Sequence, residues 1–425
     1  MSDQPAEPAA QSPAVQSEAA TAPPPEQAPP SGRFARLWSS SLLVTLLAFV
    51  TAMLIGGLLI AVADPQTQAA SHYFFQYPWD TFRYGFEAIW RGYVALFQGA
   101  IFNSDTASKG TLAGYLGPIS ETLTNATPLI LGGLSVGLAF RAGLFNIGGQ
   151  GQVIMGAVFA GFVGFHWHLA PGLHLLLGIL AGMLGGALWG GLAGLLKAKT
   201  GAHEVITTIM LNYVALYFLA YLLSVKGFQA PPYGQAISNK VHSSAQLPPL
   251  LGGSMRVHAG LILALLAAVA VGWLIDRSTL GFRLRAVGAN QFASRTAGMS
   301  VENSYITVML IAGALCGLAG VSQILGTNSA ITGDIDAGIG FDAITVALLG
   351  RANAKGIVAA GLLFGALHAG GTQMQSATGT PIDLVQVIQS LIVLFIAAPM
   401  LVRAIWRIKV TTTGVGGQLA KGWNG

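Results

Sequence analysis

AFRAGLFNIGGQGQVIMGA, residues 139–157, joins two long apolar runs through one basic residue and a knot of glycines and amides. Arg141 closes the first run, and Asn146, Gly148, Gly149, Gln150, Gly151 and Gln152 open the second. In a soluble chain such a knot is a surface turn. Flanked by apolar sequence on both sides, it sets its amides at or inside the edge of a bilayer, where backbone leaves a helix only if protein or water satisfies its polar groups. Polar residues at that depth mark functional sites, so Asn146, Gln150 and Gln152 are candidates to line a solute path.

The composition fits that reading. A charged share of 9%, a hydrophobic share of 53% and a mean hydropathy of +0.62 stand far from the roughly 25% charged content of soluble domains. The expected fold class is an all-α integral membrane protein. The 56 glycines suit helices that associate through small residues. The net charge of +5 is spread in a way that marks topology, so no nucleic-acid partner is expected. Cys316 is the one cysteine, and the eight histidines are scattered without an HExxH pattern. No metal site and no catalytic residues are expected. No Gly-Lys dipeptide occurs, hence no phosphate-cradling loop. This chain is expected to bind no cofactor, and if transport is ATP-driven another polypeptide supplies the ATPase.

Residues 1–31, rich in Ala, Pro, Gln and Ser, bury too little to fold and read as a disordered cytoplasmic tail. The transmembrane domain expected over 32–405 begins with Arg33 and Arg36 before an apolar run at 41–62. AVAD at 61–64 resembles a signal-peptidase site, but the run is too long, and the polar stretch before it too extended, for a signal peptide. An uncleaved anchor is expected. Residues 64–119 read as a periplasmic segment whose charged, aromatic stretch at 82–97 forms an interfacial or extramembrane helix. Further spans are expected near 120–140, 145–166, 172–196, 204–225, 257–275, 303–325, 338–350, 356–372 and 381–402. That makes about ten transmembrane helices, with 338–350 short enough to be a broken or re-entrant element. A second periplasmic segment occupies 226–256, a charged cytoplasmic segment 276–302, and a cytoplasmic tail 406–425. With both termini inside, 15 of the 21 basic residues are cytoplasmic, and that asymmetry sets the orientation.

Other constellations carry paired readings. Gly178, Gly182, Gly186, Gly190 and Gly194 recur every fourth residue, either as a static close contact, the simpler reading, or as an interface that slides. Glu204, Thr208 and Asn212 share one helix face. Glu204 serves either the helix dipole or the path, and Asn212 either bonds another helix or lines the path. Asp342 and Asp383 read as helix caps. Gln323, Asn328, Gln386 and Gln389 are neutral amides able to hydrogen-bond an uncharged solute or one another. The segment 281–300 is either an ordinary basic loop or a short helix of small residues, Ala293, Ser294, Ala297 and Gly298 around Arg295, fitted to a partner's cleft.

RAGLFNIGGQGQ at 141–152, EVITTIMLNY at 204–213, GFRLRAVGAN at 281–290 and GFDAITVALLGR at 340–351 come in an order that resembles the permease subunits of bacterial ATP-binding-cassette importers for nucleosides. That family lies within the larger group serving simple sugars and branched-chain amino acids, and the resemblance covers about residues 40–405. His203 departs from it where Asn is usual, which bears on the polar face of that helix. Gln291 and Phe292 depart where Pro and Glu usually precede the small residues, which bears on partner contact. The resemblance implies the type II importer architecture in the bacterial inner membrane, with lipid around it. It implies a second, related permease subunit, a lipoprotein that delivers the solute outside, and an ATP-binding-cassette ATPase that uses ATP and Mg. The ATPase would dock on the segment after Gly281, with Arg285, Asn290, Ala293, Arg295, Ala297 and Gly298 at the contact. The solute path would draw on Asn146, Gln150, Gln152, Asn212 and Gln323. A simple-sugar permease is the nearest alternative. An ion-gradient-driven carrier is the rival class, and it would show embedded carboxylates for the coupling ion.

Overall fold

The computed structural model describes residues 41–407, of which 44–407 form one compact unit. The tail at 1–31, Arg33, Arg36 and the C-terminal tail beyond 407 lie outside the described residues. Those described are helical, with isolated bridges and no strand. In order they are α1 (Ser41–Ala63), α2 (Pro65–Ser71), α3 (Pro78–Ala100), α4 (Ser104–Ala107), α5 (Leu112–Arg141), α6 (Gly149–His166), α7 (Leu173–Thr200) and α8 (Glu204–Leu222). After a long loop come α9 (Gly260–Arg277), α10 (Thr279–Ala289), α11 (Gln291–Thr296), α12 (Val301–Val321), α13 (Ile339–Leu349), α14 (Ala354–Thr378), α15 (Ile382–Ala397) and α16 (Pro399–Ile405). The last turn of α12 widens into a π-helix over Ser322–Thr327.

Seven of these helices are long and apolar enough to cross a membrane: α1, α5, α7, α8, α9, α12 with its π turn, and α14. The bent pair α15 and α16, turned by 95°, makes up to eight. The expected ten is reached only if α6 and α13 also cross. α6 spends 18 residues on a sequence diluted by Gln150, Gln152 and His166. α13 has 11 residues, about half of what a bilayer core requires. Elsewhere the boundaries move by capping: Thr111 accepts from Gly114 N at 3.1 Å and starts α5 well before residue 120.

The glycine repeat on α7 is a seam. A Cβ at Gly186 would collide with the Gly313 carbonyl, and one at Gly190 would stand 2.9 Å from Gly313 Cα. Gly194 meets Tyr305 and Met309 while Gly178 meets Leu325, so α7 and α12 run antiparallel with their backbones in contact. Gly156 of α6 joins them against Gly317. Leu176, Leu180, Leu184, Leu188 and Leu192, on the opposite face of α7, are exposed. Lipid and helix therefore see different residue types on one helix, as expected where small residues rather than apolar burial drive association.

α3 is the amphipathic helix expected around 82–97, and it reaches farther into the bundle than an interfacial helix. It runs back along α1, with Gly85 against Ala61 and the Tyr93 hydroxyl donating to the Met53 carbonyl. Its inner end meets α14 at Gly99 and Gln373. Phe82, Phe86 and Trp90 stay exposed along its outer face.

The charges segregate to the two ends. At one end Arg141 Nε donates to the Ala352 carbonyl at 3.0 Å, Gly143 touches Gly288, and Lys197 pairs with Glu204 at 2.9 Å. At the other, the loop 226–256 lies over α6 and the π turn: His242 N donates to Gly164 O at 2.9 Å, and Leu247 N to Leu325 O at 2.7 Å. Arg256 reaches Glu121 at 3.1 Å.

His258, where this loop enters α9, is 3% exposed. Its Nδ1 accepts from Gly260 N at 3.1 Å, so that nitrogen carries no proton. Burial, helped by Arg256, holds the imidazole down at about 4. The unfolded chain takes up that proton more readily, so stability falls as pH drops below 6.5 and the loss is complete near 4. His258→Asn, which keeps an acceptor but cannot be protonated, should remove on the order of 2–3 kcal/mol of this acid sensitivity. Melting temperatures in detergent between pH 7 and pH 4 check it, and parallel curves for the two proteins would refute the assignment.

Candidate functional site

Between α5 and α6 the helix breaks, and side-chain amides take up the freed backbone groups. Asn146 and Gln152 form a reciprocal pair, each amide nitrogen 3.0 Å from the other's oxygen, and Asn146 Oδ1 also accepts from Gly148 N at 3.1 Å. Asn212, reaching over from α8, accepts from Gly151 N at 2.9 Å and donates to the Ile147 carbonyl at 2.9 Å. One asparagine thereby satisfies a donor and an acceptor that flank the start of α6. Asn146 and Gln152 are buried, 0% and 1% exposed.

Glycine is required for this approach. A Cβ at Gly151 would stand 2.8 Å from Trp189 Nε1, and one at Gly340 would collide with the Gln150 backbone. The start of α13 thus abuts the start of α6. Gln150 lies at that contact, and its side-chain amide makes no hydrogen bond to any described residue.

Of the expected path residues, the structure brings Asn146, Gln150, Gln152 and Asn212 together at the break. Gln323 stands apart, in the π turn after α12. It lines a cavity of about 70 Å³ together with Thr124, Asn125, Pro128, Leu129, Thr327, Ala337, Ile339 and His368. No arginine or lysine lines it. His368 Nε2 lies 2.8 Å from Asp342 Oδ2.

That pair corrects the reading of Asp342 as a cap. Its carboxylate turns to His368, and the residue that caps α13 is Asp336, whose Oδ1 accepts from Gly340 N at 3.1 Å. Asp336 is 4% exposed and its Oδ2 has no partner. Asp383 stands in the first turn of α15 behind Pro381 and makes no capping bond. Sequence reasoning missed Asp336, His368 and Asn125. Asp336 was legible in GDIDAGIG, where an aspartate precedes the left-handed Gly338 (φ 78°) and the helix start. His368 carried no local signal, because its partner lies 26 residues earlier.

Glu204 is the first residue of α8 and pairs with Lys197. His203, at the N-cap, makes no capping bond there, the task for which Asn is suited. The segment 276–302 is two helices. Asn290 caps α11, accepting from Phe292 N and Ala293 N at 3.0 Å each. Arg295 pairs with Glu302 at 3.2 Å, Ala297 closes the helix and Gly298 follows at φ 79°. Arg285, Asn290, Ala293, Arg295, Ala297 and Gly298 are all exposed, and Phe292 is 73% exposed. Gln291, the other departure, accepts from the Tyr305 hydroxyl at 3.1 Å. No group of three or more His, Cys, Asp or Glu suited to a metal occurs among the described residues.

The family model described as the permease component of the branched-chain amino acid transport system matches residues 119–397. The chain belongs to that permease family. It is 38% identical over 370 residues to the guanosine ABC transporter permease protein NupP of Bacillus subtilis, covering 86% of this chain and 95% of that one. It is also 38% identical over 299 residues to the glucose ABC transporter permease protein TsgB13 of Haloferax volcanii, covering 67% and 77%. To the nucleoside ABC transporter permease protein NupB of Lactococcus lactis it is 32% identical, covering 75% and 86%. No solved structure matches the chain. This permease is a multi-pass membrane protein and a transport subunit.

Removing the clamp at the break should cost stability before it touches transport chemistry. Asn212→Leu strands Gly151 N–H and Ile147 C=O, at about 1–3 kcal/mol for each group left unpaired. A fall in the melting temperature of the purified protein, smaller in Asn212→Asp because one acceptor remains, is the expected result. A Leu variant as stable as the parent would show that the break holds without it.

Proposed function

We propose that this permease is the membrane-spanning subunit of an ATP-driven importer of nucleosides. The observation that carries the reading is the near end-to-end likeness to a guanosine permease, over 86% of this chain and 95% of that one. The chemistry of the bundle agrees. Nucleosides are neutral and rich in hydrogen-bonding groups, and Gln323, Asn125 and Thr124 meet such a solute without a cation to hold a phosphate or carboxylate. A simple sugar is the second reading, favoured by the glucose permease of equal identity over a shorter match. A gradient-driven carrier would need a carboxylate free to bind the ion. Here Asp342 is engaged with His368 and Asp336 Oδ1 caps α13, while the buried Asp336 Oδ2 is unpartnered, so the importer class rests on the family likeness and not on the carboxylates.

On this reading the basic end, with α10 and α11, faces the cytoplasm of a bacterial cell. There an ATPase subunit binds ATP and Mg and seats α11 in a cleft, with Arg285, Asn290, Ala293, Arg295, Ala297 and Gly298 at the contact. A second, related permease completes the path to which Asn146, Gln150, Gln152, Asn212 and Gln323 contribute, and a lipoprotein delivers the solute from outside.

Two experiments bear on it. In intact cells, with Cys316 replaced, an impermeant maleimide should label a cysteine at position 239 and spare one at 290; the reverse pattern overturns the orientation. In liposomes the complete complex should take up labelled guanosine or uridine saturably and with ATP. Ala297→Trp, by overfilling the contact, should abolish uptake and release the ATPase at normal membrane abundance. Saturable uptake of glucose or ribose without nucleoside uptake would reject the substrate. Gradient-driven uptake by this chain alone would reject the class.

A further inference from the structure

The cavity under the π turn presents hydrogen-bond acceptors. Asn125 gives one Nδ2 hydrogen to the Glu121 carbonyl at 2.9 Å, which leaves its other N–H and its Oδ1. Thr124 donates its hydroxyl hydrogen to the Ser120 carbonyl at 2.8 Å, which leaves an oxygen lone pair. His368 gives its Nε2 to the Asp342 carboxylate at 2.8 Å, so in the neutral ring the remaining nitrogen, Nδ1, is an acceptor. The Gln323 side chain, on a residue 8% exposed, makes no hydrogen bond to any described residue and supplies one more acceptor and two amide N–H donors, while its backbone carbonyl accepts from Asn328 N. Thr327 is occupied, lying 3.3 Å from His258 Nε2 and 3.5 Å from the Ser322 carbonyl.

A wall of this kind, with both acceptors and amide donors and no cation, suits a neutral group that both donates and accepts, as a hydroxyl does. The cavity, at about 70 Å³, has room for several water molecules or for a ligand group of comparable size. Guanosine and glucose, named for two relatives at 38% identity, share one feature of that size and character: neighbouring ring hydroxyls. We propose that this cavity reads the vicinal hydroxyls of the solute's sugar ring, with Gln323 and His368 making the contacts and Asp342 acting as a positioning residue that fixes the His368 tautomer. The proposal rests on the reading of this chain as a solute-translocating permease and holds for either substrate class. It separates recognition of the sugar diol from whatever distinguishes one base or sugar from another.

The test compares transport of a ribonucleoside with its 2′,3′-dideoxy analogue by the complete reconstituted complex, at saturating loaded binding protein. Because the binding protein is the same in every arm, a change in the ratio belongs to the permease. The parent should prefer the riboside by about tenfold or more, since buried acceptors left unpaired reject the analogue. In Gln323→Leu and His368→Leu the ratio should fall to within about twofold. Asp342→Asn should lower it, and Asp342→Glu should restore it in part. Unchanged ratios in variants that still transport overturn the proposal. Should a variant fail to assemble, Gln323→Cys in a Cys316→Ala background gives an independent readout. A small hydrophilic methanethiosulfonate should modify it during turnover, the riboside should protect it, and the dideoxy analogue should not; equal protection, or none by either, overturns the proposal. If the complex carries glucose and no nucleoside, the same ratio taken with a vicinally deoxygenated glucose judges the diol site while the nucleoside reading alone falls.

Discussion

The turn between α5 and α6 stands because its freed backbone groups find protein partners: Leu144 N donates to the Ala139 carbonyl at 3.0 Å, and side-chain amides take up the groups at the start of α6. Asn212 does this from a different helix, using its oxygen for Gly151 N and its nitrogen for Ile147 O. Asn146 and Gln152 lock the same turn from within. Three amides that look in sequence like solute ligands thus also hold the break itself, which is how they would shape the path proposed above. The groups left uncommitted, on Gln150 and Gln323, lie at the contact with α13 and in the cavity. The break sets the start of α6, and the start of α6 in turn seats α13 through Gly340.

The second constraint is distance. The seam of α6, α7 and α12 brings peptide planes within contact of one another at Gly156, Gly186, Gly313 and Gly317. These helices cannot separate by the width of one methyl group without losing the dispersion that holds them, because lipid matches their apolar side chains equally well. The seam makes a stiff wall. On its far side, the π turn carries Gln323 out of the helical register and toward the cavity, a role that wide turns often play at functional sites.

How much of this was legible depends on the range of the signal. The helix break was readable because glycines and amides interrupt an apolar run, and the seam because its period matches the helix. The N-terminal boundary of α5 was misjudged because a threonine cap extends a helix past the point where apolarity fades. α13 was suspect from its length alone. The cavity was invisible, since Asn125, Gln323 and His368 come from three helices far apart in sequence and meet only through tertiary packing. Asp342 misled for the same reason: an acid near a helix start is a cap by local rules, and only the fold brings a histidine to it.

The two-faced α7 and the polar, proline-bearing α5 imply an order of assembly. Leucine covers the lipid side of α7, and α8 and α9 likewise show most of their surface outward. Such helices are at ease in lipid one at a time. The most apolar stretch of α5 is 83% buried, and Pro118, Pro128, Thr124 and Asn125 lie along the helix. Its polar groups and helix interruptions are costly in hydrocarbon until neighbours surround it. The centre of this protein is therefore the part least suited to being inserted first, the reverse of a soluble domain whose apolar core collapses ahead of its surface. During synthesis α5 leaves the ribosome before α7, α12 and α14, so the central helix must wait for its enclosure.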